Sequence, residues 1–414
     1  MKVIADLHIH SKYSRGCSRE LTLPNIAKWC EHKGIDLVAT GDFTHPAWFK
    51  SIKEELISAE PGFFQLKDGS SAVRFVLGGE ISCIYTQGGK CRRIHTCLLL
   101  PSIEAAEKLI QELINRGCNL KSDGRPIIGL PAKELARLAF AVDENIIVFP
   151  AHIWTPWFAV FGSKSGFDSL EECFEELTPK IFALETGLSS DPAMNWRLSK
   201  LDRLTLLSNS DAHSPANLGR EANVFDFSEN KFSYQELRRI IKEKDRKRFL
   251  MTVEFFPEEG KYHIDGHAVC GFSCEPEKSR QLDNRCPKCG KPLTLGVLNR
   301  VNSLADRQEI AIDDFIPYKN LVPLQEIIAA VSGVGKNSKK VRKEYFNLIS
   351  HANEFAILLD ASSAELNKIT LPEITEAIIA MRQGQVEIAA GYDGIFGRIK
   401  IKNTRSPAEQ KELF

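Results

Sequence analysis

The sequence lacks several features that would by themselves assign it to a class. No apolar run of 18 residues occurs, and the segment Met1–Asp6 reaches polar residues too early for the apolar core of a signal peptide. Basic and acidic residues balance at 54 each, so no overall charge attracts nucleic acid or membrane. The Gly-x4-Gly-Lys-Ser/Thr pattern of nucleotide-binding loops is absent. We therefore expect a cytoplasmic protein with no membrane partner and no nucleotide cofactor, in which any polyanion site is a local patch.

Cysteine is unevenly distributed. Seven of the eleven cysteines are scattered, and the other four lie within 20 residues, at Cys270, Cys274, Cys286 and Cys289. Four thiolates at these spacings can close a tetrahedral zinc site without an open position, which predicts one structural Zn²⁺ and not a disulfide framework. His263 and His267 are close enough to replace one of the cysteines, and this alternative stays open.

The hydrophobic pattern predicts an α/β fold. Up to about residue 245, short β-rich runs alternate with amphipathic stretches, so we expect about seven strands in a largely parallel sheet. The number of units favours a closed barrel over an open sheet. A loop-rich module with the clustered cysteines follows, and the remainder is mostly helical with a glycine-rich tail. We expect a barrel at 1–245, a zinc-binding module at 246–304 and a helical region at 305–414.

Histidines and carboxylates follow many of the predicted strands. They are Asp6, His8, His10, Asp42, His45, Glu80, His95, His152, Glu185, Asp211 and His213. Because functional residues of parallel-stranded barrels gather at the C-terminal strand ends, we expect these side chains to meet at one mouth. Mixed imidazoles and carboxylates suit transition-metal ions, and so many ligands predict more than one ion. Two or three ions about 3.5–4 Å apart activate water and stabilise phosphoryl oxygens, which favours phosphoester hydrolysis.

The motifs resemble those of the PHP phosphoesterases. The matching segments are Asp6-Leu7-His8-Ile9-His10-Ser11, Gly78-Gly79-Glu80, Ala151-His152 and Ser210-Asp211-Ala212-His213-Ser214. The resemblance implies a distorted seven-stranded barrel with a trinuclear site and a catalytic set of His8, His10, Glu80 and Asp211. It also implies that these four surround one ion, that Glu80 bridges to a second held by His95 and His152, and that His213 binds a third. Zn²⁺, Mn²⁺ and Mg²⁺ are the candidate ions.

One segment departs from the PHP pattern. The family has a histidine after the second strand, where this chain has Phe43, between the candidate ligands Asp42 and His45. The segment Tyr13–Cys17 also offers no clear match to the usual ligand after the first motif. A site with two ions therefore stays open beside the site with three.

The order of the parts resembles the endonuclease Q family. A PHP-like region with Gly41–Pro46, the cysteine module followed by Leu295–Val301, and a tail with Gly391–Gly394 carry this resemblance over nearly the full length. It implies a DNA repair endonuclease that cuts 5′ to deaminated bases (uracil, hypoxanthine, xanthine) and abasic sites. A phosphatase for small phosphate monoesters and a non-catalytic scaffold that binds DNA or a clamp are the alternatives.

Three further segments suggest contacts with DNA or its partners. A glycine-containing turn precedes a basic run without acids, which offers Lys336, Lys339, Lys340, Arg342 and Lys343 to a phosphate chain. The aromatic residues Trp154, Trp157 and Phe158 follow His152 and could stack on an extruded base, or could pack as a lid on the core. Gln410–Phe414 resembles a short sliding-clamp-binding peptide, with an idle terminus as the alternative.

Overall fold

The computed structural model describes residues 1–228, 230–308, 310 and 312–401. Strands and helices alternate through the first part of the chain: β1 (Lys2–Asp6), α1 (Leu23–Lys33), β2 (Leu37–Ala39), α2 (Pro46–Glu55), β3 (Leu56–Ser58), β4 (Phe64–Leu66), β5 (Arg74–Gln87), β6 (Lys90–Leu100), α3 (Ile103–Asn115), β7 (Ile127–Ile128), α4 (Ala132–Val142), β8 (Ile147–Pro150), α5 (Leu170–Phe174), β9 (Ala183–Glu185), α6 (Pro192–Asn195), β10 (Thr205–Leu207), β11 (Ala222–Asp226) and α7 (Tyr234–Lys242).

The second part contains shorter strands and then helices. Its elements are β12 (Phe249–Glu254), β13 (Asp265–His267), β14 (Phe272–Cys274), α8 (Pro276–Gln281), α9 (Val297–Leu304), β15 (Tyr318–Asn320), α10 (Leu324–Ser332), α11 (Lys339–Ile349), a π-helical turn (Ala356–Asp360), α12 (Ser363–Leu366), α13 (Pro372–Arg382), β16 (Val386–Ala389) and β17 (Arg398–Ile401). Serine begins several helices: Ser102, Ser233 and Ser338 each accept a hydrogen bond from the backbone N–H three residues later. Within the described ranges, no helix is both long and apolar enough to cross a membrane.

Seven strands follow one another around a distorted barrel. Parallel pairing joins β1 to β2, β2 to β5 and β9 to β10, while antiparallel pairing joins β5 to β6 and β6 to β8. Past the ends of β8 and β9, the Ile153 N–H donates to the Glu185 carbonyl (3.1 Å). A parallel bridge between Ile9 and Ala212 links the continuations of β1 and β10. The expected distorted seven-stranded α/β barrel is confirmed, with β6 running against its neighbours.

The sheet continues beyond the barrel. β11 pairs antiparallel with β1 and with β12, and β12 pairs in parallel with β15. β12 lies after residue 245, so hydrogen bonds of one sheet cross the first expected boundary. The C-terminal loop also returns to the expected zinc-binding module, where Asp393 accepts hydrogen bonds from Ala268 N–H and the Thr294 hydroxyl, both at 2.6 Å. The three expected parts therefore contact one another directly.

Candidate metal centres

The side chains of the first centre come from distant parts of the barrel. His8 and His10 follow β1, Glu80 lies within β5, and Asp211 follows β10. One potential ligand atom from each of these four residues lies within 4.8 Å of all the others. His10 Nε2 is 3.0 Å from Asp211 Oδ1, and His8 Nε2 is 3.7 Å from the same oxygen. The structure thus brings together the four residues that the PHP resemblance places around one ion.

Three atoms of this group are buried without a hydrogen bond of acceptable geometry among the described residues, although two of them lie 3.0 Å apart. They are His8 Nε2, His10 Nε2 and Asp211 Oδ1. Burying polar atoms unpaired costs about 1–3 kcal/mol each, so several that converge on one point need a ligand to compensate them. Two imidazole nitrogens and carboxylate oxygens form a donor set that suits a divalent transition metal. The residues present therefore fit a bound metal ion.

Two carboxylates orient the histidines of the first centre. His8 Nδ1 lies 3.0 Å from Glu185 Oε1, and His10 Nδ1 lies 3.0 Å from Asp42 Oδ1. A carboxylate at Nδ1 selects the tautomer whose Nε2 lone pair is free for a metal. Glu185 is itself held by the His152 N–H and the Asn209 amide, both at 2.8 Å.

Asp42 occupies a supporting position and does not belong to either ligand group. Its second oxygen accepts hydrogen bonds from the Ser11 N–H (2.7 Å) and from the hydroxyls of Ser11 and Ser14 (2.6 and 2.9 Å). Burial alone would raise the pKa of Asp42, but the His10 ring and the hydrogen bonds from Ser11 hold this pKa below its ordinary value. Both oxygens of Asp42 already serve His10 and the serines, which favours an orienting role, and a ligand role for Asp42 stays a prediction from the sequence.

The second centre shares Glu80 with the first. Glu80 Oε1 is 2.7 Å from His95 Nδ1 and 3.1 Å from His152 Nε2, while its Oε2 is 3.4 Å from His10 Nε2. Ligand atoms of Glu80, His95 and His152 lie within 4.8 Å of one another. Burial lowers the pKa of His95 to about 4, although Glu80 opposes the shift, so this ring is neutral and able to ligate at physiological pH. Glu80 therefore belongs to both ligand groups.

Strained backbone supports both centres. Asp42, His152 and Asp211 have positive φ angles of 44°, 29° and 46°, a region that residues other than glycine rarely adopt. Such conformations persist only where the surroundings enforce them, and they concentrate at functional sites. The three strained residues all lie in loops that follow barrel strands.

Three sequence candidates lie outside these groups. His45 stacks on the Tyr13 ring at 4.3 Å between centroids, so its turn directs it to an aromatic neighbour. The Nδ1 of His213 is 2.8 Å from the Asp211 carbonyl, and its half-exposed ring contacts that of His10. Asp6 lies at the end of β1, and its carboxylate accepts hydrogen bonds from the N–H groups of Ser210 and Gly219. Within the described part of the chain, none of the three joins a set of three or more potential ligands.

The cysteine module forms a ligand group that differs by one residue from the expected four. His267, Cys270, Cys286 and Cys289 each place a ligand atom within 4.8 Å of the others, and His267 Nδ1 lies 3.6 Å from Cys289 Sγ. Cys274 is not in this group. It stands opposite Asp265 at the open end of the β13–β14 hairpin, whereas His267 and Cys270 lie at the turn. The alternative in which a histidine replaces a cysteine thus describes the observed arrangement, and its donor set suits a structural zinc.

Solved structures of similar proteins resemble this chain over nearly its full length. A crystal structure of the lesion-specific endonuclease PfuEndoQ from Pyrococcus furiosus has a TM-score of 0.86 and 32% sequence identity, and the match covers 97% of this chain and 96% of that one. The chain belongs to the endonuclease Q family. A structure of endonuclease Q with a 27-mer duplex that has an abasic lesion at the active site has a TM-score of 0.84 and 32% identity, covering 97% of both chains.

Two curated proteins and one family model are also similar to this member of the endonuclease Q family. The uncharacterized protein YqxK of Bacillus subtilis is 30% identical over 415 residues, which covers 96% of this chain and 99% of YqxK. The uncharacterized protein MJ0043 of Methanocaldococcus jannaschii is 32% identical over 255 residues, covering 60% of this chain and 31% of MJ0043. The model of the MJ0043 C-terminal domain matches residues 323–385, which include α10, α11 and α13.

The aromatic candidates of this endonuclease Q member separate into core and surface residues. Trp154 is 1% exposed, and its indole N–H donates to Asn195 Oδ1 at 2.8 Å, so it belongs to the core and is corrected as a base-stacking candidate. Trp157 is 40% exposed, and its ring lies 5.9 Å from that of Tyr262 in the zinc-binding module. The Phe158 ring lies 4.6 Å from the His95 ring. Phe158 therefore borders the second ligand group, whereas the ring of Trp157 contacts Tyr262.

The basic candidates lie at the start of α11 and in the turn before it. Lys336, Lys339, Lys340, Arg342 and Lys343 are all exposed. Lys336 forms an ion pair with Glu326 of α10 at 3.0 Å, which draws its charge toward the protein. The proposed clamp peptide, Gln410–Phe414, lies outside the described residues.

One residue beside the metal centres was missed by sequence reasoning. Arg125 precedes β7, and its Nη1 atom lies 3.1 Å from Glu80 Oε2. No motif surrounds it, and 45 residues separate it from Glu80. The only signal in the sequence is the turn-forming segment Ser122-Asp123-Gly124-Arg125-Pro126, which does not by itself indicate a site.

Proposed function

We propose that this protein is a metal-dependent DNA repair endonuclease that hydrolyses the phosphodiester bond on the 5′ side of damaged nucleotides. The damage would be a deaminated base (uracil, hypoxanthine or xanthine) or an abasic site. The observation that carries the proposal is the convergence of His8 Nε2, His10 Nε2 and Asp211 Oδ1, buried and unpartnered, beside Glu80. The similarity to an endonuclease Q bound to a duplex with an abasic lesion supports DNA as the substrate.

Two or three divalent ions are the proposed cofactors of the barrel site, with Zn²⁺, Mn²⁺ or Mg²⁺ as candidates. When bound, they supply an activated water and positive charge beside the phosphate. Glu185 and Asp42 hold the Nε2 atoms of His8 and His10 toward the centre. Glu80 joins the two ligand groups through its two oxygens, and two groups favour two ions. His213, in ring contact with His10, is the candidate ligand for a third ion.

The proposed DNA surface includes α11 and the zinc-binding module. The five exposed basic residues at the start of α11 and in the turn before it provide a local positive patch on a chain without net charge. Such a patch binds the phosphate backbone without sequence preference, which suits an enzyme that must search undamaged DNA. A structural zinc held by His267 and three cysteines would keep the module folded.

Trp157 and Phe158 are the proposed contacts to the damaged nucleotide. Phe158 contacts His95 of the second ligand group, and Trp157, the preceding residue, contacts Tyr262. Aromatic side chains stack on an extruded base, and extrusion costs less for a base that pairs poorly. A deaminated base therefore reaches these residues more readily than a normal one. The clamp contact through Gln410–Phe414 remains a prediction from the sequence.

The experiment compares three substrates with one purified protein. We expect the wild type, supplied with Mn²⁺ or Zn²⁺, to nick a uracil-containing duplex and to spare both the undamaged duplex and a small phosphate monoester. Asp211→Ala and His8→Ala should abolish nicking and leave DNA binding largely intact. Asp360→Ala, which removes a carboxylate that is 64% exposed in the C-terminal part, is the matched control and should nick normally.

The alternatives give different results in the same experiment. Hydrolysis of the monoester without nicking would support a small-molecule phosphatase. A wild type that binds DNA, holds a single zinc per chain and hydrolyses neither substrate would support a scaffold. Full nicking activity of Asp211→Ala would refute the proposed centre.

A further inference from the structure

Arg125 is a cationic side chain at the edge of a site that should bind cations. Its Nη1 donates to Glu80 Oε2 at 3.1 Å, and its side chain is 23% exposed, so it faces both the bridging carboxylate and solvent. Within the described residues, no other N–H group of this guanidinium has a hydrogen-bond partner in the protein. A guanidinium has five N–H donors in a planar fork, so most of its donors remain free for another acceptor.

The loop that holds Arg125 is fixed to the catalytic elements. Its neighbour Pro126 accepts a hydrogen bond from the Ser82 N–H of β5 at 3.0 Å, two residues after Glu80. The Gly124 N–H donates to the Tyr13 carbonyl at 3.0 Å, in the loop after β1. Asp123 Oδ1 accepts from the N–H of Arg125 itself at 3.1 Å. These hydrogen bonds join the loop of Arg125 to β5 on one side and to the loop after β1 on the other.

Gly124 shows how closely this loop approaches the centre. A Cβ at this position would lie 2.2 Å from Asp42 Oδ2 and 2.5 Å from the Ser14 hydroxyl. Those atoms belong to the hydrogen-bond network that orients His10. Only glycine allows the loop to pass here, and this passage brings Arg125 to Glu80.

A positive charge at this place weakens metal binding, because it repels the ions that the centre would hold. An ion pair with Glu80 is not a sufficient reason for a cation at this position, because both oxygens of Glu80 already face histidines of the two ligand groups. An anion that arrives with the substrate explains it better. The scissile phosphate is such an anion, and its non-bridging oxygens match the geometry of a guanidinium.

We propose that Arg125 is a catalytic residue that donates hydrogen bonds to a non-bridging oxygen of the scissile phosphate. This inference rests on the proposed function. In the reaction, a water oxygen bonds to phosphorus and gives up one proton, the P–O3′ bond breaks, and O3′ takes up one proton to become the 3′-hydroxyl, so that one water is consumed in total. Arg125 gives and takes no proton. It stabilises the negative charge that is spread over the phosphoryl oxygens in the transition state.

The test combines substitutions with a change in the phosphate. Arg125→Gln, Arg125→Lys and the wild type are compared in single-turnover nicking of a uracil-containing duplex, together with metal content and DNA affinity. Arg15→Gln is the matched control, because Arg15 lies near the same loop, 3.5 Å from Asp123, with its side chain 81% exposed. We expect Arg125→Gln to lower the nicking rate about 100-fold with metal content and DNA affinity unchanged, as for loss of one donor to a developing oxyanion. Arg125→Lys should recover part of this loss, and Arg15→Gln should match the wild type.

A neutral methylphosphonate at the scissile linkage provides the second readout. It removes one charged oxygen, so we expect it to slow the wild type much more than Arg125→Gln. Equal slowing in both proteins would overturn the contact between Arg125 and the phosphate. Loss of metal from Arg125→Gln would overturn it in favour of a structural role at Glu80. A wild type that fails to nick any duplex would instead refute the proposed function, so the two failures are distinguishable.

Discussion

A buried ion pair joins the barrel to the C-terminal helical region, and its removal is a sharp test of the structure. Lys33, at the end of α1, places its Nζ 2.7 Å from Glu354 Oε2, and the two side chains are 3% and 6% exposed. Glu354 also accepts hydrogen bonds from the Leu324 N–H (3.0 Å) and the Tyr345 hydroxyl (2.8 Å). One carboxylate thus links α1 to the start of α10 and to α11. The perturbation is Lys33→Met, which keeps the apolar stem and removes the charge.

The expected loss in the free energy of unfolding follows from the burial of both side chains. Removing one partner of a buried pair leaves an uncompensated charge and costs about 3–5 kcal/mol, whereas an exposed pair is worth about 0–1 kcal/mol. Two hydrogen bonds to Glu354 remain in Lys33→Met, so we expect the lower end, about 3 kcal/mol. The double variant Lys33→Met with Glu354→Gln should lose less than Lys33→Met alone, because glutamine is neutral. Lys50→Met is the control, since Lys50 pairs with Glu54 on the surface at 3.7 Å and is 73% exposed.

Native-state hydrogen exchange measures this loss of stability separately in the helices that Glu354 contacts and in the barrel. The amides of α10 and α11 should exchange about 100-fold faster in Lys33→Met, which is the opening equilibrium expected for a loss of about 3 kcal/mol. Amides of β5 and β6 in the barrel should change less. Lys50→Met should leave all of these rates within about twofold of the wild type, since a surface pair contributes little. Unchanged exchange in Lys33→Met, or a larger loss in the double variant, would refute the argument that this pair holds the two regions together.

Three further predictions follow from the structure. Burial raises the pKa of Glu254 from 4.5 to about 8, so between these pH values the folded protein holds a proton there that the unfolded chain releases. The free energy of unfolding should therefore fall as pH rises from about 4.5 to 8, and in Glu254→Gln it should fall by about 1–3 kcal/mol less, as measured by urea unfolding. An equal fall in both proteins would contradict the raised pKa. Metal analysis should find one structural zinc retained in Cys274→Ser and lost in His267→Ala, and the opposite result would restore the four-cysteine site. Replacing Lys340 and Lys343 by alanine should weaken DNA binding regardless of the DNA sequence. It should also reduce the steepness of log affinity against log salt concentration by about 0.9 for each phosphate that the protein no longer neutralises. An unchanged salt dependence would exclude α11 from the DNA interface.

Local patterns in the sequence were sufficient for the α/β fold and for most of the side chains that the structure brings together in the two groups. The spacing of His8 and His10 after an apolar run, and the strand-end positions of Glu80, His152 and Asp211, depend on strand periodicity and on barrel geometry. The same reasoning does not distinguish a ligand from a residue that orients a ligand. Asp42 and Glu185 have the chemistry of ligands, but their oxygens lie at the Nδ1 atoms of the two histidines.

The cysteine module and the aromatic loop show a second limit. Spacing in the sequence allows either Cys274 or a nearby histidine to complete the expected zinc site, and the register of the β13–β14 hairpin places His267 in the ligand group. The sequence likewise presents Trp154 and Trp157 as equivalent, whereas the fold buries one against Asn195 and exposes the other beside Tyr262. In both cases a local pattern offers two residues, and a contact with a distant segment chooses between them.

The sequence by itself determined the class of this protein: an α/β barrel of the endonuclease Q family with histidines and carboxylates at its strand ends and a module of clustered cysteines. These properties depend on residue type and short-range spacing, which hydrophobic burial and strand geometry convert directly into structure. Only the tertiary structure decided that Arg125 meets Glu80 and that Lys33 meets Glu354. Such contacts join residues 45 and 321 positions apart, and no local periodicity encodes which distant side chains the packed core brings together.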